Sequence, residues 1–399
     1  MTVVESDIYY DPYDYAIDEN PHPLWKRMRD EAPLYYNDKY DFYAVTRYAD
    51  VREMSADWRT YSSHQGSVLE LIRAPDLLEQ IRSILFEDPP LHDVHRGAIA
   101  RAFTRRRIAG LEERTRELCR GFLDPLIGES GFDFVRDLAS RLPMMVIGSL
   151  LGVPEQDQEL VRSWADESIT RDEGETDFRM DGQLKMQEYF AALLADRRQQ
   201  PRDDLISALT VAEVEDDSGS RRLDDGEILR FVGLLAAAGN ETTTHLISNS
   251  GKVLADYPDQ RRLLVDNPTL IPAGIEEMLR FEPPSPINAR VVTRDVRLHG
   301  KVLPQGAALI LIVGSAGRDE RAWPTPDPDI YDLRRESESH VSFGHGIHFC
   351  LGAALARLEG KIALEEVLAR FPEWEVDAAR AERVHTSTVR GWATLPVTV

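Results

Sequence analysis

Cysteine is nearly missing from this 399-residue chain, which carries only Cys119 and Cys350. Two thiols cannot build a disulfide framework, so a cross-linked secreted scaffold is excluded and a cytoplasmic setting is expected. No run of about 18 uncharged apolar residues occurs, so no membrane anchor is expected. The opening MTVVESDIYYDPYDY is acidic and lacks the apolar stretch of a secretory leader. Positive charge is in the minority, with 47 Lys and Arg against 69 Asp and Glu and a net charge of −22. Phosphates would be repelled by such a surface, so no nucleic-acid partner is expected. No repeat, low-complexity linker or composition break divides the chain. Apolar side chain, by contrast, is plentiful at 42% of residues. That is enough for a large core and excludes a disordered chain.

The patterning is mainly helical. Apolar residues recur every three or four positions over 96–151 and 155–198. Residues 34–36 and 42–45 flank a polar turn at Asn37 and Asp38 and predict a hairpin. The acidic stretch 213–220 reads as a solvated loop. Asp224 and Glu227 then form a capping pair ahead of a run apolar nearly all round: Ile228, Phe231, Val232, Leu234, Leu235, Ala236, Ala237 and Ala238. A helix apolar on every face belongs inside the protein. Carried to about residue 255, it would span about 45 Å, the width of a domain. Residues 271–281 read as helix up to Pro283, Pro284 and Pro286, and 291–313 hold short β-branched runs broken by Gly300 and Gly306.

The densest chemistry lies in residues 340–352, HVSFGHGIHFCLG. His340, His345, His348 and Cys350 suggest zinc, but one thiolate only two positions from His348 is too tight for a zinc knuckle. Haem needs a single axial thiolate, which Cys350 can supply. Gly344, Gly346 and Gly352 would let the backbone approach a flat macrocycle. A helix over 351–371 would favour the thiolate through its dipole and first amides. Cys119 has no such company and reads as a buried helix residue.

A second constellation, Ala238-Gly-Asn-Glu-Thr-Thr243, interrupts the apolar helix. Gly239 costs about 1 kcal/mol relative to Ala, and a buried Glu241 costs more unless paired or solvated. Either Glu241 faces solvent at a groove, or the helix is distorted where Thr242 bonds back to the Ala238 carbonyl, with room for a small ligand and water. In the second case acid and hydroxyl relay protons. Glu277 and Arg280 share a helix face and can pair. His92 and Arg96 follow Asp88-Pro-Pro90 four apart; alone they would be surface decoration.

In chain order these pieces resemble one family, the cytochrome P-450 haem-thiolate monooxygenases of soluble bacterial type, most specifically through Phe343-Gly-His-Gly-Ile-His-Phe-Cys-Leu-Gly352. The resemblance implies one domain over 1–399, a mainly α prism-shaped fold with a long central helix and a small β-rich part at 30–60 and 285–315. It implies haem b bound by the loop 343–352, with Cys350 as iron ligand and Phe343, Gly352 and Ala238 beside the cofactor. His92, Arg96, Arg290 and His348 would hold the propionates, supplying the counter-charges that two buried carboxylates require. Glu277, Arg280 and Arg335 would form a structural ion pair, and Glu241 and Thr242 would deliver protons to dioxygen. Gly317, where Asn is frequent in the group, and Tyr331, where Phe is usual, depart from the pattern and bear on local packing.

The family's layout places substrate against Val68, Leu69, Leu71, Ile72 and Leu85, then Leu234, Ala237 and Ala238. Pro286, Ile287, Asn288, Thr388 and Val389 complete the expected wall. This largely apolar lining suits a terpenoid, steroid, fatty acid or macrolide, to be hydroxylated or epoxidised. GHGIHF lacks the third glycine of a dinucleotide fingerprint, so electrons are expected from a separate ferredoxin and ferredoxin reductase. Arg101, Arg105, Arg106 and Arg107 are the expected docking patch on an otherwise acidic chain, itself expected to be a monomer. Two readings compete: a peroxide-driven oxygenase, and a non-catalytic haem or ligand-binding protein of the same fold.

Overall fold

Asn37 sets the first turn: its side chain donates to the Tyr10 carbonyl and accepts from the Tyr40 amide, and Asp41 closes the turn at a φ of 46°. The flanking residues pair antiparallel as β1 (Leu34–Asn37) and β2 (Phe42–Val45). With β3 (Tyr61–Ser62), β4 (Ile287–Val292) and β5 (Ala308–Ile312) they form a sheet of order β1-β2-β5-β4-β3, in which only β2 and β5 run parallel. The computed structural model describes residues 7–169, 180–216, 219–386 and 388–399. A three-stranded sheet of Gly131–Asp133, Glu375–Val376 and Pro396–Thr398 falls outside the two expected β-rich stretches.

The rest is mostly helix: α1 (Tyr48–Ala56), α2 (Leu91–Ala102), α3 (Arg105–Ala109), α4 (Glu112–Leu123), α5 (Leu142–Leu151), α6 (Glu155–Ile169), α7 (Asp181–Gln199), α8 (Asp225–Asp256), α9 (Ile271–Phe281) and α10 (Ala353–Arg370). The helical stretch expected over 96–151 is broken into α2 to α5. Thr104 caps α3, Pro125 ends α4, and Gly128 turns at a φ of 94° ahead of a strand and a π-helical turn. The loop expected over 213–220 contains a hairpin instead, Glu213–Asp216 against Gly219–Arg222, because Val214 alternates inward to the core between two outward acids.

The central helix α8 begins at a capping box: Asp224 accepts from the Glu227 amide at 2.7 Å and Glu227 accepts from the Asp224 amide at 2.8 Å. It runs for 32 residues to Asp256, two before Pro258 opens the next helix, and packs Ile228, Phe231, Val232, Ala236, Leu246 and Leu254 into the main core against α5, α6, α7 and α10. Helix α9 stops at Phe281, and α10 starts two residues later than expected because Cys350 to Gly352 form a turn. The α8, α10 and Cys350 segments are thereby held in one frame.

Candidate active site

The Cys350 loop folds before its helix does. Gly344 and Gly346 take left-handed φ values of 74° and 80°, which side chains disfavour. A Cβ on Gly346 would lie 2.8 Å from the Ala56 Cα, so this glycine lets the loop dock on α1 rather than admit a macrocycle. The Cys350 amide donates to the Phe343 carbonyl at 2.8 Å. The Phe343 ring packs against His340 and Phe349 and lies under the Arg357 guanidinium. The accessible Cys350 sulfur accepts from the amides of Gly352 and Ala353. Loss of water to the crowding protein around it raises the thiol, against the lowering pull of those amides and of the Arg96 and Arg357 charges. The zinc reading has no geometric support: His340 turns away to Glu276 at 3.2 Å, and among the described residues no three metal-ligating side chains converge.

Close by, α2, β4 and the loop bring His92, Arg96, Arg290 and His348 together. The rings of His92 and His348 meet edge to face at 4.7 Å, and each keeps a buried Nε2 with no partner. The other His92 nitrogen, Nδ1, lies 3.0 Å from Asp93. Arg290 is buried and donates to the Ala289 carbonyl at 2.7 Å, while Arg96 donates to the Phe349 carbonyl at 2.6 Å; neither is ion-paired. Burial lowers Arg290 to about 10. Burial, then the positive charge of Arg290, His92 and Arg96, drives His348 down to about 3. Two guanidinium groups without a carboxylate partner, beside two imidazole nitrogens without any, call for an anionic guest, and two haem propionates fit this set beside the thiol.

On α8, Leu234, Ala238 and Thr242 stand one turn apart on a face that is not covered by protein. Thr242 donates its hydroxyl proton to the Ala238 carbonyl at 2.9 Å, yet the helix runs unbroken. Gly239 abuts Ile147 of α5, so it serves packing and not a distortion. Glu241 does not face solvent at a groove; it is buried and turns to α6, where it is hydrogen-bonded to Asp166. Burial and then the Asp166 carboxylate hold the Glu241 carboxyl well above the usual range. Arg162 steadies Asp166 at 2.5 Å and Glu159 at 2.6 Å. Acid and alcohol thus look to different neighbours.

Glu277 lies fully buried and accepts twice from Arg280, at 2.7 and 2.8 Å, and from Arg335 at 3.1 Å. Ser337 and the Asp332 amide also donate to it. Arg280 reaches the Gly317 and Pro328 carbonyls as well. Both departures from the family pattern find their reason here. A Cβ on Gly317 would sit 2.2 Å from the Arg280 carbonyl oxygen, and the Tyr331 hydroxyl donates to the Gly274 carbonyl at 3.0 Å.

Of the expected substrate contacts, Val68, Leu69, Ile287, Asn288 and Thr388 line one narrow cleft together with Tyr13 and Glu70. Leu234 and Ala237 are partly open on α8, Ile72 is half-buried and Leu85 exposed. Leu71 packs with Leu78 and Phe86 in a small core instead, and Pro286 and Val389 are buried too. Arg106 is exposed and lines a surface cleft with Arg107, which lies 3.8 Å from Asp203. The side chains of Arg101 and Arg105 lie outside the described residues. Two residues near the thiol escaped the reading of the sequence: Arg357, two helical turns beyond Cys350, and Glu276, its bidentate partner at 2.6 and 2.8 Å. The seven-residue spacing was the available signal for Arg357; Asp166 gave none, because its partner lies on another helix.

An accessible cysteine ahead of a helix, a cluster of basic side chains without a carboxylate partner and a long helix with an acid and an alcohol match the architecture of a haem-thiolate protein. The Cytochrome P-450 family model matches residues 264–396. A relative from Mycobacterium tuberculosis with a cytochrome P-450 name is 40% identical over 100% of this chain and 99% of its own length. The vitamin D(3) 25-hydroxylase of Pseudonocardia autotrophica is 37% identical over 96% of this chain and 94% of its own. The structure of cytochrome P-450 CYP109Q5 from Chondromyces apiculatus superposes with a TM-score of 0.86 at 32% identity, covering 98% of this chain and 97% of that one. The chain belongs to the cytochrome P-450 family, and it is a haem-dependent monooxygenase. No helix among the described residues is long and apolar enough to cross a membrane.

Proposed function

We propose that this enzyme, working in the cytoplasm, hydroxylates or epoxidises a bulky hydrophobic molecule with electrons from a separate ferredoxin and its reductase. The observation that carries the reading is the cradle: Arg96 and Arg290 without an ion pair, and His92 and His348 each with a bare buried Nε2, beside an accessible thiol. When bound, the haem supplies the one-electron chemistry by which dioxygen is split and one oxygen atom is inserted into substrate. Cys350 would ligate its iron, and His92, Arg96, Arg290 and His348 would hold its two propionates. Thr242, its own proton given to Ala238, keeps oxygen lone pairs to accept a proton on the open face of α8. Glu241, kept protonated by burial and by Asp166, stores a proton one residue away. Val68, Ile72, Leu234, Ala237 and Ile287 give substrate an apolar wall, while Asn288 and Thr388 offer polar contacts. A relative named for oxidising vitamin D(3), a large lipophilic molecule, supports that class.

Electron entry is assigned to Arg106 and Arg107 on α3, which packs on α10, the helix that Cys350 precedes. The test is reconstitution with a surrogate ferredoxin, its reductase and NADH over a panel of steroids, terpenoids, fatty acids and macrolides. We expect a Soret shift toward high spin and an oxygenated product from at least one compound. Arg106→Glu should raise the KM for ferredoxin in a salt-dependent way, and Thr242→Ala should divert electrons to peroxide without loss of haem. No shift and no product across the panel would overturn the substrate class. An unmoved KM would overturn the docking site, and unchanged coupling the role of Thr242.

A further inference from the structure

We infer that His95 is a positioning residue for the haem cradle: held as an imidazolium between Glu87 and Glu227, it fixes α2 against the first turn of α8, and losing its second proton loosens that hold. The inference rests on the cradle reading of His92 and Arg96, which stand three residues before it and one after it on the same helix. His95 itself is buried and turned away from them. Its Nδ1 lies 2.7 Å from Glu87 and its Nε2 3.1 Å from Glu227, with Phe231 edge-on to the ring at 5.2 Å.

Hydrogen-bond inventory fixes the protonation. Both partners are carboxylates and accept only, so a neutral imidazole, with one N–H, would leave one contact as acceptor against acceptor. Glu227 is held ionised: burial pushes it up, but Arg221, the Asp224 amide and His95 together bring it down to about 2. Arg221 grips it bidentately at 2.7 and 2.8 Å, while also pairing with Asp216. The extra proton therefore belongs to the short Glu87–His95 contact. The charged groups facing this spot are Glu87 ahead of α2, Asp216 and Arg221 on the adjoining hairpin, and Asp224 and Glu227 at the start of α8. Asp93 on α2 and Glu213 and Glu215 on the hairpin line a neighbouring cleft together.

The clamp ties the approach to α2, whose Asp88 and Pro90 carbonyls already accept from the His92 and Val94 amides, together with α2 itself to the first turn of α8. Glu227 is also the third residue of α8 and closes its capping box, so a shift of α2 would be felt at that helix start. Burial lowers His95, but its bonds to Glu87 and Glu227 outweigh that and leave it above the ordinary histidine value. A raised value means the hold is complete below about 6.5 and is lost as pH rises through the folded value.

The experiment follows haem transfer from the holoenzyme to excess apomyoglobin as pH is raised, alongside ring-carbon NMR of histidine-labelled protein, with the His95 signal identified by its loss in His95→Gln. We expect a His95 midpoint above about 6.5, and release that speeds up through that midpoint by about tenfold for each unit of elevation. Glu87→Gln supplies an amide donor and makes the extra proton dispensable. It should stay folded, lower the midpoint and flatten the release profile, so the test survives if His95→Gln misfolds. A wild-type midpoint at or below the ordinary value, or a release profile that Glu87→Gln leaves unchanged, overturns the proposal. If instead His92→Ala and Arg96→Ala do not hasten haem release, it is the cradle reading that fails.

Discussion

Two arginine clusters in this enzyme, one fully buried and one partly open, are built on opposite rules. Around Glu277, Arg280 and Arg335 meet a carboxylate and backbone carbonyls, and Ser337 and the Asp332 amide fill the remaining acceptor sites. Around His348, Arg96 and Arg290 find only carbonyls, and two imidazole nitrogens find nothing. Burial costs both clusters hydration, and only the first recovers it within the chain. A brace and a binding site can thus be told apart by counting donors against acceptors, even when both are made of arginine.

The largest effect expected from breaking this contrast is at Glu277. Glu277→Ala leaves two buried guanidinium groups without their carboxylate and should cost about 3–5 kcal/mol in denaturant unfolding of the apoprotein. A loss below about 1 kcal/mol would erase the distinction. In the cradle, Arg290→Leu should leave apoprotein stability unchanged or slightly raised, because it removes an unpaired charge, while haem release accelerates about tenfold or more. An apoprotein melt as damaged as that of Glu277→Ala would make Arg290 a brace as well. The smallest effect separates apoprotein from holoenzyme in acid. Burial lowers His22 to about 4, His245 to about 4 and His348 to about 3. Unfolding lets each take up a proton, so stability falls as pH drops below about 6.5. Haem carboxylates beside His348 would favour its charged form, so the holoenzyme should lose less than the apoprotein by about 1 kcal/mol one unit lower. Equal losses would mean that no anion reaches His348.

Much of this was readable in the order of residues. The α8 start was visible in Asp224 and Glu227, and its depth in a run apolar on all sides. The end of α9 was marked by prolines, and the Cys350 loop by glycines crowded around a lone thiol. What escaped depends on contacts between distant segments. Helical periodicity was read through Pro125 and Gly128, which do break it. The hairpin around Val214 was hidden because two acids on either side of one valine look like solvated loop. The direction of Glu241 is set by Asp166 on another helix, and Leu71 sits in a helix too short to reveal which face is covered.

The close approach of Gly317 to the Arg280 carbonyl carries an evolutionary consequence. Because even a methyl group would stand 2.2 Å from that oxygen, any larger residue at 317 requires the end of α9 to move first. The asparagine frequent at this position in the family is therefore closed to this chain by any single step. Residue 317 and the backbone course at the end of α9 must change together, and grafting the common residue alone into this background should fail where the same graft, made with its matching helix end, succeeds.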